Sequence, residues 1–193
     1  ALCSAGAIAP HAVDLMQAWR IDVLAGPDHP DPIGRAALRA LRDAGLDGVH
    51  DVRCRRGYLL GAELAEADVY RFAREVLGDP VVDRIAVHAP GETVAAPDGV
   101  HLVTVSPRPG VTDPVAHSVQ KALADRGLPA VAAGTYRAFE VHGELAPERL
   151  LPVARRALAN DVIQDVRLDR VHEGLPGRWR RQHLICINVR LDG

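Results

Sequence analysis

Lysine is almost missing from these 193 residues: Lys121 stands alone, and the other cationic side chains are arginines. That skew reads as coding bias rather than chemistry. Aromatic residues make up only 4% of the chain, which leaves little for stacking nucleic-acid bases. The formal charge of -2 supplies no polycationic surface, so nucleic-acid binding lacks its usual electrostatic driver. Cysteine is confined to Cys3, Cys54 and Cys186. That is too sparse for a disulfide framework or a zinc knuckle and fits a reducing, cytoplasmic setting. No apolar run approaches the ~18 residues of a membrane span. Gly-x-Gly-x-x-Gly and Gly-x-x-x-x-Gly-Lys phosphate loops are both missing. The apolar start, Ala1 to Leu15, has no basic leader region and is expected to be a disordered tail.

What the sequence does have is a sentence written twice. "GPDHPDPIGRAALRALRDAG" from Gly26 is followed by "RPGVTDPVAHSVQKALADRG" from Arg108. An offset of 82 residues aligns Val23 with Val105, Asp31-Pro32 with Asp113-Pro114, Leu41 with Leu123 and Gly45 with Gly127. Carried on without a gap, it also aligns Arg55 with Arg137 and Gly61 with Gly143. An offset of 81 then aligns Val69 with Leu150 and Leu77 with Leu158. Two copies are too few for a solenoid and suit an intramolecular pseudo-dimer.

Each copy has one grammar. Trp19–Leu24 and Val100–Ser106 alternate as strands. Asp31 and Asp113 are N-cap candidates, and Pro32 and Pro114 fit the first helical position, where a missing N–H costs nothing. Gly45 and Gly127 end these helices. Two short strands follow, Val49–Arg55 and Tyr58–Glu63 in copy one, Ala130–Gly134 and Tyr136–His142 in copy two. Helices are expected over Ala65–Leu77 and Arg149–Ala159, the latter starting late with Pro152 in its first turn. Val81–Val87 and Val162–Leu168 close the copies as strands. The expected fold is therefore α+β: two tandem βαββαβ lobes, residues 16–88 and 100–169, in antiparallel sheets with helices on one face. Residues 89–99 read as the linker. Residues 170–193 read as a polar loop and one extra strand, His183–Leu191, leading toward a further domain. One lobe of this size buries a marginal core, which gives the duplication a physical reason.

The ordered set of Asp31-Pro32, Asp113-Pro114, "ALRALRDAG", "ALADRG" and "LANDVI" resembles the PurS family. PurS is the small subunit of formylglycinamide ribonucleotide amidotransferase (phosphoribosylformylglycinamidine synthase) in purine synthesis. The tandem arrangement is similar to the N-terminal region of fused forms of that synthase. Departures stand at Gly78-Asp79-Pro80 and Asp161, and around Arg55–Arg56 and Arg137, where the family tends to carry lysine. The resemblance implies a non-catalytic role, joining a glutaminase to an ATP-dependent synthase and helping ammonia pass between them. It implies no cofactor in this chain, ATP and Mg being expected only in the holoenzyme. The implied partners are the glutaminase subunit and the synthase catalytic domain, with self-association open, and no nucleic acid or membrane.

Individual residues give no catalytic constellation. Cys54 has flanking arginines that would lower a thiol pKa, but it sits in a strand rather than on a glycine-flanked turn. Asp28, His29 and Asp31 read as a Pro-rich turn and a cap rather than a metal site. Arg53, Arg55, Arg56 and Tyr58, with Tyr136 and Arg137, are interface candidates, as is Trp179 in "GRWRRQ", because arginine and aromatics are enriched at interfaces. A competing reading is a tandem ferredoxin-like regulatory module, of the ACT kind, that binds a small metabolite between lobes. An RNA-binding βαββαβ domain is disfavoured by charge and by the missing aromatic pair.

Overall fold

Alternating β-branched residues build the first strand, β1 (Ala18–Ala25), in a computed structural model that describes residues 18–92 and 99–169. The chain continues through α1 (Pro32–Asp43), β2 (Val49–Gly61), α2 (Glu66–Phe72), a π-helical continuation of α2 (Ala73–Leu77) and β3 (Asp83–His88). The same order then recurs as β4 (Val100–Pro107), α3 (Pro114–Asp125), β5 (Ala133–Gly143), α4 (Pro147–Leu158) and β6 (Gln164–Asp169). The expected tail over 1–15, most of the linker, the extra strand and Trp179 lie outside the described residues. Among the described residues, no helix is long and apolar enough to cross a membrane.

The six strands form one antiparallel sheet in the order β3-β1-β2-β5-β4-β6. β2 and β5 meet at its centre, from Val49 opposite Gly143 to Leu60 opposite Ala133. Each copy was expected to hold two short strands between its helices; each holds one long strand instead. In copy one Gly57 falls in the gap between the two expected strands, yet it lies inside β2 with the Tyr136 ring directly over it. A Cβ at Gly57 would overlap that ring, so this glycine marks a close approach within a strand. The repeat unit is therefore β-α-β-α-β rather than βαββαβ.

The gapless alignment also needs correction. Ile21 pairs with Tyr58 and Val103 with Phe139, so the offset is 82 residues on the outer strands but 81 on the central ones. The extra residue is His50. Pairing steps from Val49↔Gly143 to Asp51↔His142, which leaves His50 unopposed as a β-bulge. The counterpart of Arg137 is thus Arg56, directly opposite it, and not Arg55.

Cross-strand partners share a sheet face, and the registers place all four helices on one face. Trp19, Ile21, Val23 and Leu60 pack with Val69, Phe72 and Leu77 from the α2 region and with Val119 and Leu123 of α3. Val52, Cys54, Val103, Phe139 and Val141 pack with Ala37 and Leu41 of α1 and with Leu150 and Ala154 of α4. Each helix pair therefore joins one helix from each copy. Gly45 and Gly127 take positive φ, 93° and 69°, just past α1 and α3, as the sequence suggested. α4 departs from expectation: it begins at Pro147 and keeps Pro152 inside. Leu150 and Ala154, both 0% exposed, pin that stretch to the core, while Pro152 faces solvent.

Candidate functional site

Period-two alternation divides the interface candidates between the two faces of the central strands. Arg56, Tyr58 and Arg137 lie on the helix face with Cys54 and Thr135; Arg53, Arg55 and Tyr136 lie on the other. The structure does not gather them into one surface.

On the helix face, Arg56 and Arg137 sit side by side, both exposed. Arg56 Nη2 donates to Asp83 Oδ2 at 2.6 Å. The counterpart of Asp83 in the second copy is Gln164, so Arg137 has no matching acid. Two helix starts flank this pair. Asp31 Oδ1 accepts from Gly34 N at 2.7 Å, the expected cap, while its Oδ2 accepts from the Cys54 backbone N at 2.6 Å. Asp113 repeats the device: Oδ1 accepts from Ala116 N at 2.9 Å, and Oδ2 accepts from Thr135 N at 2.9 Å and Thr135 Oγ1 at 2.7 Å. Each carboxylate thus caps a helix and clips it to a central strand. Ser or Thr could supply only one acceptor oxygen, which explains aspartate at both positions. Pro32 and Pro114 follow the caps at the first helical positions.

Cys54 lies beneath this clip, 6% exposed. Burial, with help from the Asp31 charge, pushes its thiol up to about 12 against the opposing pull of Arg137 and Arg56. A thiol held protonated is no nucleophile at neutral pH.

The helix-free face carries a buried ionic network. Tyr136 OH donates to Asp22 Oδ1. Arg55 bridges two acids, Asp22 Oδ2 at 3.4 Å and Glu140. His88 Nε2 stands 3.6 Å from Asp22 Oδ2, beyond hydrogen-bond reach. Asp22 is 2% exposed and Glu140 8%. Burial alone would raise the Asp22 carboxyl, but His88, the Tyr136 hydrogen bond and the Arg55 and Arg20 charges outweigh it and hold it below the usual range. Burial first, then the Asp22 charge, pushes the Tyr136 hydroxyl far up. The cluster therefore pairs a fixed anion with a fixed phenol, and neither exchanges a proton near pH 7. Around it, Arg20 Nε and Nη2, Arg55 Nε, His88 Nε2 and His142 Nε2 are buried without a hydrogen-bond partner among the described residues.

Sequence reasoning missed Asp22, Glu140 and His88. The signal was there in "RIDVL" and "AFEVH": single acids inside strands whose neighbours are apolar on both sides. Among the described residues, no three His, Cys, Asp or Glu side chains come together to hold a metal.

Comparison with known families bears on the second unit, β4 to β6. Residues 101–172 match the family model PurS, Phosphoribosylformylglycinamidine (FGAM) synthase. The match supports the PurS family, and its range begins and ends close to the bounds of β4–β6. No curated protein matches the chain.

Proposed function

We propose that this chain is a non-catalytic scaffold of phosphoribosylformylglycinamidine synthase in purine biosynthesis, built as an intramolecular pseudo-dimer of two PurS-like lobes. The carrying observation is the PurS match over β4–β6, taken with a first unit of identical element order paired to it across β2 and β5. Arg56 lies opposite its own counterpart Arg137, which supports an approximate two-fold axis through the centre of the sheet. Lobes of 16–88 and 100–169, joined by 89–99, fit that arrangement.

In this reading the chain holds a glutaminase and an ATP-dependent synthase together and helps ammonia pass from one to the other. Its own side chains bind and position partners; the buried Asp22 network and the Asp31 and Asp113 clips keep the platform rigid. The test is light-scattering chromatography of the chain mixed with the glutaminase and synthase subunits of the same organism, with glutamine and ADP present. A stoichiometric complex that restores glutamine-dependent amidine formation supports the scaffold. Absence of any complex with either subunit overturns it.

A further inference from the structure

The repeat is close to symmetric in backbone but not in charge. α1 and α4, which share one core, carry Arg35, Arg39, Arg42, Arg149, Arg155 and Arg156 against two acids, Asp43 and Glu148. All six arginines are exposed. Arg42 Nε is used at 2.9 Å on the Val49 carbonyl; the other five make no side-chain hydrogen bond or ion pair with a described residue. The opposite layer, the α2 region with α3, carries Arg71, Arg74 and Lys121 against Glu66, Asp68, Glu75 and Asp125. There three cations have an acid at hand, Arg71 with Asp68, Lys121 with Asp125, and Arg126 just after α3 with Glu75, and Arg74 alone makes no ion pair with a described residue.

Coding bias toward arginine does not explain this difference, because both layers draw on the same codons. Nor does helix stability. Arg42, Arg155 and Arg156 sit in last turns, where the helix dipole favours cations. Arg35 and Arg149 sit near the starts of α1 and α4, where it disfavours them, and α1 has no acid in its first turn. First-turn acids do not separate the layers: α2 has Glu66 and Asp68 and α4 has Glu148, whereas α1 and α3 have none. Five exposed arginines without a partner among the described residues, two of them near helix starts where the dipole disfavours cations, point to a partner beyond the described residues.

We propose that the α1/α4 layer is a docking surface for an acidic protein surface, its arginines taking carboxylates, while the α2/α3 layer is not. This deepens the scaffold reading and rests on it for the partner's identity. Arginine's planar fork suits bidentate carboxylate pairing. A nucleic acid fits less well, since the two helices carry no aromatic side chain and the chain as a whole is at -2.

The experiment compares three forms of the full chain: wild type, Arg35→Gln/Arg39→Gln/Arg155→Gln/Arg156→Gln, and the control Arg71→Gln/Arg74→Gln/Lys121→Gln. Glutamine keeps helix propensity, and circular dichroism confirms folding. Binding to the synthase and glutaminase subunits is read at low and high salt, and retention on immobilised poly-L-glutamate is read in parallel. The α1/α4 variant should bind a subunit at least about tenfold more weakly at low salt and lose most of the salt dependence, whereas the control binds as wild type. Equal binding by the α1/α4 variant overturns the docking surface and leaves the scaffold intact. If wild type binds neither subunit, the scaffold reading fails and poly-L-glutamate decides: retention that depends on the α1/α4 arginines supports the surface, and retention that does not overturns it. Binding of a DNA duplex with the same arginine dependence and equal strength also overturns it, in favour of a nucleic-acid site.

Discussion

Asp31 and Asp113 each do two jobs with two oxygens, so substitutions that keep one job separate them. Asp31→Ser keeps an N-cap acceptor for α1 but leaves the Cys54 amide, just past the last β1–β2 pair at Leu24↔Arg55, without an acceptor. Stranding a partly buried donor costs about 1–3 kcal/mol. Asp31→Ala also loses the cap, worth about 1 kcal/mol more. Asp31→Asn keeps Oδ1 but turns an amide NH2 toward the Cys54 N–H, two donors facing each other, and should cost at least as much as serine. Asp113→Asn should be milder, because the Thr135 hydroxyl, 2.7 Å from Oδ2, can rotate to accept from the new amide. Urea denaturation followed by far-ultraviolet circular dichroism reads these values as shifts in midpoint at constant slope. The reasoning is refuted if Asp31→Ser lies within about 0.5 kcal/mol of wild type, the scatter of ordinary surface substitutions, or if Asp113→Asn proves costlier than Asp31→Asn.

Tyr136→Phe removes a donor from the buried Asp22 carboxylate and should cost about 1.5–3 kcal/mol at pH 7, measured by the same denaturation. Because the Asp22 carboxyl is held below its usual range, its stabilisation is present above the unfolded value of about 3.9 and is lost as pH falls from there through the folded value. Stability of Tyr136→Phe should therefore fall less steeply than wild type on the acid side; a parallel acid limb would count against the network. Cys54 should stay unlabelled by iodoacetamide in the native protein at pH 8 and react fully in denaturant, as read by peptide mass; rapid native labelling would contradict a buried, protonated thiol. Pro152→Ala restores an N–H to the interior of α4 and should raise stability by up to about 3 kcal/mol; a lowered midpoint would show that Pro152 is needed for the local packing.

The starts and ends of α1 and α3, and the offset of 82 between them, were legible because they rest on local chemistry. Asp-Pro caps, Gly45 and Gly127 act within one turn of chain, and the structure places them as read. The central strands were not legible, because their decisive contact is remote in sequence: Gly57 reads as a gap between strands until Tyr136 is laid over it. His50 hid in the same way. A bulge is defined only against its partner strand, so one sequence shows an alignment that drifts and not where it slips. The interface candidates were grouped by proximity along the chain, whereas strand alternation sent Arg55 into a buried ion pair and Arg56 to the surface. Pro152 was misplaced because a propensity rule gave way to two fully buried neighbours, Leu150 and Ala154.

An extra residue at His50 and an uneven spread of arginine bear on one point. Two identical chains pairing about a two-fold axis must present the same surface twice, so any partner that fits one side fits the other. Joining the copies in one chain removes that constraint. The core can stay matched, with Asp31 and Asp113 clipping equivalent helices to equivalent strands, while the surfaces diverge. Here they have diverged: Arg56 has its acid and Arg137 does not, and one helix layer is neutralised where the other is left cationic. If the proposed scaffold role holds, two different partners call for such a break in symmetry, and a duplicated chain can make it without altering the sheet that carries both halves.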